Sequence, residues 1–175
     1  MLQTLRNRRH RNEMAAALYA AVSRRAREPI FYREYGVADS IDGRFDMLVL
    51  HAWLVLEQLR ELGENDQAQT FVDALFARFD EVLREQGSGD IGIGRRIKKM
   101  AGAFYGRMHA YSGSGNRAAL AEAILRNVYR GEPSRVEAAA ALAKYADDAR
   151  RQMANRRLDQ GELDFGPLPA LDAVR

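Results

Sequence analysis

The three histidines are the residues of this chain best suited to ligate a metal or to transfer a proton. His10 lies in a basic stretch, His51 lies within an apolar stretch, and His109 lies near two glycines. No His, Asp and Glu residues recur at the spacing of metal ligands, and the chain has neither a cysteine nor a nucleophile-elbow motif. We therefore interpret His51 as a hydrogen-bonded core residue, and we predict a protein that is not an enzyme and has no cofactor of its own.

A glycine-rich stretch at positions 87–94, GSGDIGIG, contains the G-x-G-x-x-G spacing of dinucleotide-binding turns. Such a turn follows a β-strand, whereas the residues before this stretch have the period of an amphipathic helix. We therefore expect a break between two helices here, and no nucleotide site.

The next helix, predicted over 94–111, has a cationic surface that could contact an anion or a protein. It begins with RRIKK, for which a solvated first turn is the favoured interpretation and a phosphate contact of Arg95 and Arg96 is the alternative. The face opposite to its apolar stripe collects Arg95, Lys98, Lys99, Gly102, Gly106 and His109. Glycines four positions apart allow another helix to approach closely. We favour packing of the alanine-rich last helix of the same domain on this glycine face, and docking of a partner helix is the alternative.

The stretch from Asp42 to Leu62 is predicted to be the centre of the fold. Between Met47 and Leu56 its only polar residue is His51, and the apolar residues cover nearly the whole circumference of a helix. The uncharged run is about ten residues, half the length that spans a bilayer. With 175 residues and 47% hydrophobic composition, the chain has enough apolar residues for one sizeable core. The sequence therefore predicts an all-α, single-domain bundle of about six helices around a buried central helix.

The remaining organisation follows from the apolar period and from the cap residues. Residues 1–11 are expected to form a basic flexible arm, 12–158 the helical domain, and 159–175 an extended tail from which Leu163 and Phe165 can dock. A loop rich in aromatics, IFYREYGVADSID at 30–42, is expected to pack on the central helix as a lid through Phe31, Tyr32, Tyr35 and Val37. Besides the central helix, helices are predicted over 12–27, 65–86, 94–111, 117–129 and 133–158.

Two stretches of the chain are long and ungapped in their similarity to known proteins: FYREYGVADSIDGRFDMLVLHAWLVLEQL and GSGDIGIGRRIKKMAGAFYGRMHAY. They resemble the ubiquinol–cytochrome c chaperone family, and the similarity extends from Pro29 to about Leu158. Family-like positions include Tyr32, Gly36, Val37, Asp42, Gly43, Arg44, Phe45, Asp46, His51, Trp53, Asp90, Gly94, Lys98, Lys99, Met100, Phe104, Tyr105, Gly106 and Arg107. The short chain without an extended leader resembles a bacterial member rather than a mitochondrial precursor.

The resemblance implies assembly rather than catalysis. Family members are assembly factors for cytochrome b of the cytochrome bc1 complex (complex III), and mitochondrial members act with a small partner protein near the ribosomal exit. For this chain it implies binding of newly made or unassembled cytochrome b, a small co-chaperone and the ribosome exit region, with no DNA partner. From the residues themselves, the basic arm and the RRIKK turn are expected to contact an anionic membrane surface. The expected location is cytoplasmic, peripheral at the inner membrane. The predicted partner contacts are Tyr32, Tyr35, Arg44, Arg95, Lys98, Lys99, Gly102, Gly106 and Arg107.

Two other functions remain open from the residues themselves. A net charge of +3 weakly favours anionic partners, so a basic helical module that binds RNA or the ribosome is the main alternative. A haem-handling protein is a third hypothesis, in which His51 or His109 would ligate the iron. The chaperone interpretation is preferred because the stretches that resemble the family are long and ungapped. Among the family-like positions, Arg44, Lys98, Lys99 and Arg107 are least needed for a helical core, so we expect them to be contacts.

Overall fold

The structure, a computed structural model, describes residues 2–85, 90–154 and 163–168. These residues form an all-α bundle without strands, which confirms the predicted fold class. In chain order the elements are α1 (Leu2–Ala26), α2 (Pro29–Arg33), α3 (Ile41–Glu61), α4 (Asn65–Glu85), α5 (Asp90–Ser112), α6 (Arg117–Asn127), a 3-10 turn (Pro133–Arg135) and α7 (Val136–Ala154).

Helix α3 is the centre of the bundle, as predicted. Helices α1, α4, α5 and α7 all pack against it, and most of its residues from Asp46 to Leu59 are buried. Ser40 begins the helix by accepting a hydrogen bond from the backbone N–H of Gly43 at 3.1 Å. A Cβ at Gly43 would lie 1.9 Å from the carbonyl oxygen of Ala38. Glycine is therefore required there, because the preceding loop lies directly on the first turn of α3.

The N-terminal residues differ from the expectation of a flexible arm. Helix α1 begins at Leu2, ten positions before the predicted cap Asn12. Two contacts support the longer helix near residues 9–13: Arg9 pairs with Glu13 one turn later at 2.8 Å, and the side-chain amide of Gln67 donates to the carbonyl oxygen of Arg11 at 3.2 Å. The predicted division into 1–11, 12–158 and 159–175 stays a prediction, although residues 2–11 are helical.

The aromatic lid packs as predicted but is not an irregular loop. Residues Pro29–Arg33 form the short helix α2. Phe31 and Tyr35 are buried, and the ring of Phe31 meets the ring of His51 at 5.4 Å between centroids. The one-turn helix directs Phe31 inward because Pro29 fixes the backbone at its first position.

The C-terminal residues 163–168 lie against the bundle without regular secondary structure. Phe165 is buried with its ring 5.3 Å from that of His51, and Leu163 packs on the core, which confirms the predicted docking. The guanidinium of Arg25 donates to the carbonyl oxygens of Gly166 and Pro167 at 2.9 and 3.0 Å. The predicted end of the last helix at 158 and most of the predicted tail lie outside the described residues.

Helix α5 begins earlier than expected. It starts at Asp90 rather than Gly94, so Gly92 and Gly94 are helical and the described part of GSGDIGIG forms no phosphate-binding turn. Residues 86–89, which contain the rest of the predicted break, lie outside the described part of the chain.

Candidate partner-binding groove

An open groove of about 620 Å³ lies where α3, α4, α5 and the end of α6 meet. We call it the client groove. It combines apolar residues with five cations and two carboxylates. Its lining consists of Ile41, Asp42, Phe45, Asp46, Leu83, Arg96, Lys99, Met100, Ala103, Arg107, Arg126, Asn127 and Arg130.

The apolar surface of the client groove continues into a smaller cavity between α1, α3 and α4. The two cavities share Ile41, Phe45, Leu83 and Met100, and the smaller one, which we call the α1–α4 slot, has a volume of about 190 Å³. Ile41 is 76% exposed and Val82, in the slot, is 47% exposed. Large apolar side chains this exposed and this close together mark surfaces that bind another molecule.

A buried carboxylate lies at the base of the client groove. Asp46 is fully buried, and its Oδ1 is 2.9 Å from Nε and 2.6 Å from Nη2 of Arg107. Its Oδ2 is 2.8 Å from Nη2 of Arg130. Burial raises the pKa of Asp46, and the two guanidiniums lower it only in part. The client groove therefore contains a buried Asp46 carboxylate, which is unfavourable to bury and which Arg107 and Arg130, from different elements, hold in place.

Arg130 reaches Asp46 through an unusual backbone conformation. It is the single described residue other than glycine with a positive φ, 57°. This left-handed conformation costs roughly 1 kcal/mol for a residue with a side chain. A hydrogen bond from Nη1 to the carbonyl oxygen of Asn127 helps to fix the guanidinium. Strained residues are common at functional sites, so Arg130 supports assignment of this groove as a site.

The predicted site residues are distributed over three places. Lys99 and Arg107 line the client groove, whereas Arg44 lines the α1–α4 slot and, with Tyr32, a third cavity near α2. Arg95, Lys98, Gly102 and Gly106 are exposed on another face of α5. Tyr35 is buried, so the structure does not present it to a partner.

The glycine face of α5 is open. Among the described residues, no atom outside helix α5 lies within 4 Å of a Cβ placed on Gly102 or Gly106. The favoured expectation that α7 packs there is therefore wrong, because α7 packs on α6 and α3 instead. Docking of a partner helix on this face stays a prediction.

Arg107 was expected to be dispensable for the core, and the structure contradicts that premise. Its side chain is 13% exposed, binds Asp46, and donates to the carbonyl oxygen of Ala103 at 3.0 Å. Its guanidinium also lies 5.4 Å from the ring centroid of Phe45. Arg107 thus connects α5 to α3, and any contact it makes with a partner is additional to this structural role.

Sequence analysis did not identify Asp46, Arg126 and Arg130 as site residues. The available signal was Asp46, a charged residue between Phe45 and Met47 at the start of a helix that is otherwise apolar nearly all round. Such a residue needs a buried partner. Nothing in the spacing identifies Arg130 as that partner, since it lies 84 positions away in a turn after α6.

His51 is a core histidine, as interpreted from the sequence. The ring nitrogens lie 2.8 Å from the carbonyl oxygen of Met47 and 2.9 Å from the hydroxyl of Tyr145. The pKa of His51 is lowered to about 4, chiefly by complete burial and in smaller part by the charge of Arg25, while the hydrogen bond to Met47 opposes the shift. The neutral ring then donates a hydrogen bond to the Met47 carbonyl oxygen through Nδ1 and accepts one from the Tyr145 hydroxyl through Nε2. In residues 2–85, 90–154 and 163–168 no three His, Asp or Glu residues form a potential metal site.

This geometry defines a class of protein: an all-α domain with an open apolar groove bordered by cations, a shape suited to binding another polypeptide. The sequence pattern of the ubiquinol–cytochrome c chaperone family matches residues 33–160. The chain therefore belongs to that family. The crystal structure of the Cbp3 homolog from Brucella abortus is similar over 100% of both chains, with a TM-score of 0.79 and 30% sequence identity. Among curated proteins, none matches this chain.

Among the residues that the structure describes, no helix is both long enough and apolar enough to span a membrane.

Proposed function

We propose that this protein is a non-enzymatic assembly chaperone of the cytochrome bc1 complex that binds newly made or unassembled cytochrome b in the client groove. The observation that supports this most directly is an apolar groove lined by five cations in a chain of the ubiquinol–cytochrome c chaperone family. Cytochrome b is a hydrophobic helical protein. Before assembly it exposes apolar helix faces that must be shielded from water until their partners bind.

Binding follows helix-in-groove recognition. The apolar side chains of Phe45, Leu83 and Met100 cover one face of the client helix. Lys99 and Arg126, both exposed at the edge of the groove, pair with client carboxylates or with the carbonyls at a helix C-terminus. Asp46 does not face the client as a free charge, because Arg107 and Arg130 bind it. The groove is consequently selective for a segment that is apolar on one side and anionic at its border.

Lys99→Glu is expected to weaken binding of a cytochrome b segment about tenfold, since it replaces an attractive edge charge with a repulsive one. Lys98→Glu is the matched control: it makes the same change on the adjacent residue, which faces away from the groove. Affinity is measured by fluorescence anisotropy with labelled segments in mild detergent. Loss of binding in Lys98→Glu but not in Lys99→Glu would place the client on the glycine face and contradict the groove assignment.

Gly106→Leu is expected to fold and to raise the free energy of unfolding by about 1 kcal/mol, because an interior helix glycine destabilises by that amount and a Cβ there meets no neighbour within 4 Å. Circular dichroism during urea titration measures the change. The same variant should retain client binding. Retained helicity with abolished binding would instead identify the glycine face as the docking surface, and unfolding would contradict the open geometry.

The wider functional proposal includes a cytoplasmic location with peripheral contact at the inner membrane face, and further contacts with a small co-chaperone and the ribosome exit region. A pull-down from membranes solubilised in mild detergent tests it: apocytochrome b should accompany the protein. Normal levels of complex III after deletion of the gene, or turnover of a metabolite by the purified protein, would contradict it.

The RNA-binding alternative receives less support from the structure. Arg9 pairs with Glu13 at 2.8 Å and Arg11 lies 3.5 Å from Asp66 of α4, so part of the N-terminal positive charge is met within the molecule. An RNA affinity that falls steeply with salt would nevertheless favour the alternative.

A further inference from the structure

Three arginines converge beside the short helix α2. Arg27, Arg33 and Arg44 line a cavity of about 380 Å³ together with Pro29, Tyr32 and Asp39. We call these three residues the arginine cluster. They belong to the α1–α2 link, to α2 and to the first turn of α3, and all three are exposed.

The arginine cluster has an excess of positive charge and unused donors. Asp39 is the one carboxylate that lines the cavity, and it binds Arg44 through Nε at 2.8 Å. A guanidinium has five N–H donors, so this bond leaves the two terminal nitrogens of Arg44 available for another acceptor. Arg27 and Arg33 form no ion pair with the described residues. Three guanidiniums against one carboxylate suit a phosphate group, which arginine binds in a bidentate manner.

Apolar residues adjoin the same arginines. Arg27 and Arg44 also line the α1–α4 slot, whose other lining residues include Ile41, Phe45 and Val82. Ile41 and Val82 are the strongly exposed large apolar residues on this side. A free phosphate or an RNA backbone would use the arginines and leave these side chains in water. A ligand that joins a phosphate to hydrocarbon would use both.

We propose that the arginine cluster and the adjoining α1–α4 slot bind an anionic phospholipid of a membrane surface, with the headgroup phosphate on Arg27, Arg33 and Arg44 and with Ile41 and Val82 in the acyl boundary. This site lies apart from the N-terminal residues 1–11 and from the RRIKK turn at 95–99, none of which line it. Because the α1–α4 slot adjoins the client groove, a bound membrane places that groove at the surface from which an unassembled membrane protein is accessible.

The first experiment compares sedimentation of the full chain with vesicles of phosphatidylcholine alone and with vesicles that contain phosphatidylglycerol. We expect binding to the anionic vesicles. The variant Arg27→Gln/Arg33→Gln should bind them about 25-fold more weakly, from about fivefold per arginine near an anionic surface. Arg117→Gln/Lys144→Gln removes the same charge from α6 and α7 and should bind nearly as the wild type does. Equal losses in both double variants, or equal binding to both vesicles, would overturn the proposal.

The second experiment separates lipid from RNA and from free phosphate. Ile41→Ser should weaken vesicle binding about tenfold, since it removes exposed apolar surface from the membrane contact. Leu62→Ser changes an exposed leucine at the far end of α3 and is the control. Vesicle binding unchanged in Ile41→Ser, or competed by inorganic phosphate or single-stranded RNA, would overturn the lipid assignment.

The lipid assay contains no cytochrome b, and the client assay contains no anionic lipid. Failure of one proposal is therefore distinguishable from failure of the other. Arg33→Gln alone, at an exposed residue without an ion pair in the described structure, provides a variant whose fold is not at risk and should bind about fivefold more weakly.

Discussion

Replacement of Arg107 by methionine is expected to lower the free energy of unfolding by about 3 to 5 kcal/mol, the effect of removing one partner of a buried ion pair. Methionine preserves much of the packing on Phe45 while it removes the guanidinium from Asp46. The carboxylate then remains buried with Arg130 as its one neighbouring cation. Urea denaturation followed by circular dichroism at neutral pH measures the loss.

Two further variants test the cause of this loss. Arg130→Met should destabilise less, because the Arg130 side chain is 52% exposed and water can replace it in part, whereas Arg107 is 13% exposed. Asp46→Asn in the Arg107→Met background should recover much of the stability, since it removes the uncompensated charge. If that double variant is no more stable than Arg107→Met, the buried charge is not the cause.

The same ion pair predicts a dependence on pH. Burial raises the pKa of Asp46, so its protonated form is relatively favoured in the folded state. A group with a raised folded pKa contributes stability at pH below its unfolded pKa, and this contribution is lost as pH rises through the folded pKa. The deficit of Arg107→Met relative to the wild type should therefore shrink on acidification. A deficit that is constant with pH would contradict this account.

Acidification from pH 6.5 towards pH 4 is expected to remove about 3 kcal/mol of stability through His51. The pKa of this buried imidazole is lowered to about 4 from its ordinary value of 6.5. The folded state therefore excludes a proton that the unfolded chain binds. A stabilising contribution from a lowered histidine pKa is complete above the unfolded value and decreases as pH falls, by about 1.4 kcal/mol for each pH unit. Below the folded value no further loss arises from this group.

His51→Gln is the control for this titration, because it retains a hydrogen-bonding side chain that does not ionise. Its stability at neutral pH will be lower, since the ring contacts with Phe31 and Phe165 are lost. Between pH 6.5 and pH 4 its free energy of unfolding should change by about 1.4 kcal/mol less per pH unit than that of the wild type, which corresponds to the uptake of about one proton fewer. An unchanged slope would mean that another group controls the acid transition.

The fold was predictable from sequence where apolar pattern and cap residues agree. Helix α3 lies within one residue of its predicted bounds, because Ser40 caps it and nearly all of its face is apolar. The start of α1 was not predictable from the same signals. Its first ten residues have no apolar period. The contacts beside them are one ion pair, Arg9–Glu13, and a hydrogen bond from Gln67 of α4 to Arg11 that no linear pattern shows.

The candidate site was predictable only in part, for a related reason. Lys99 and Arg107 were identified from sequence, but the client groove is formed by four elements whose neighbours depend on the packing. The glycine pair of α5 satisfied the rule for close helix contact, yet α7 lies elsewhere. A pattern of small residues indicates that another helix can pack closely on that surface. Whether one does depends on where the packing of the whole bundle places the other helices.

The contact between Arg25 and the carbonyls of Gly166 and Pro167 has a consequence for biosynthesis. It joins residues about 140 positions apart, and it fixes Phe165 over the ring of the central histidine. A ribosome must therefore translate past residue 167 before Phe165 can be fixed against His51. Until that contact forms, His51 lacks this cover, so a nascent copy is itself an incompletely covered helical chain.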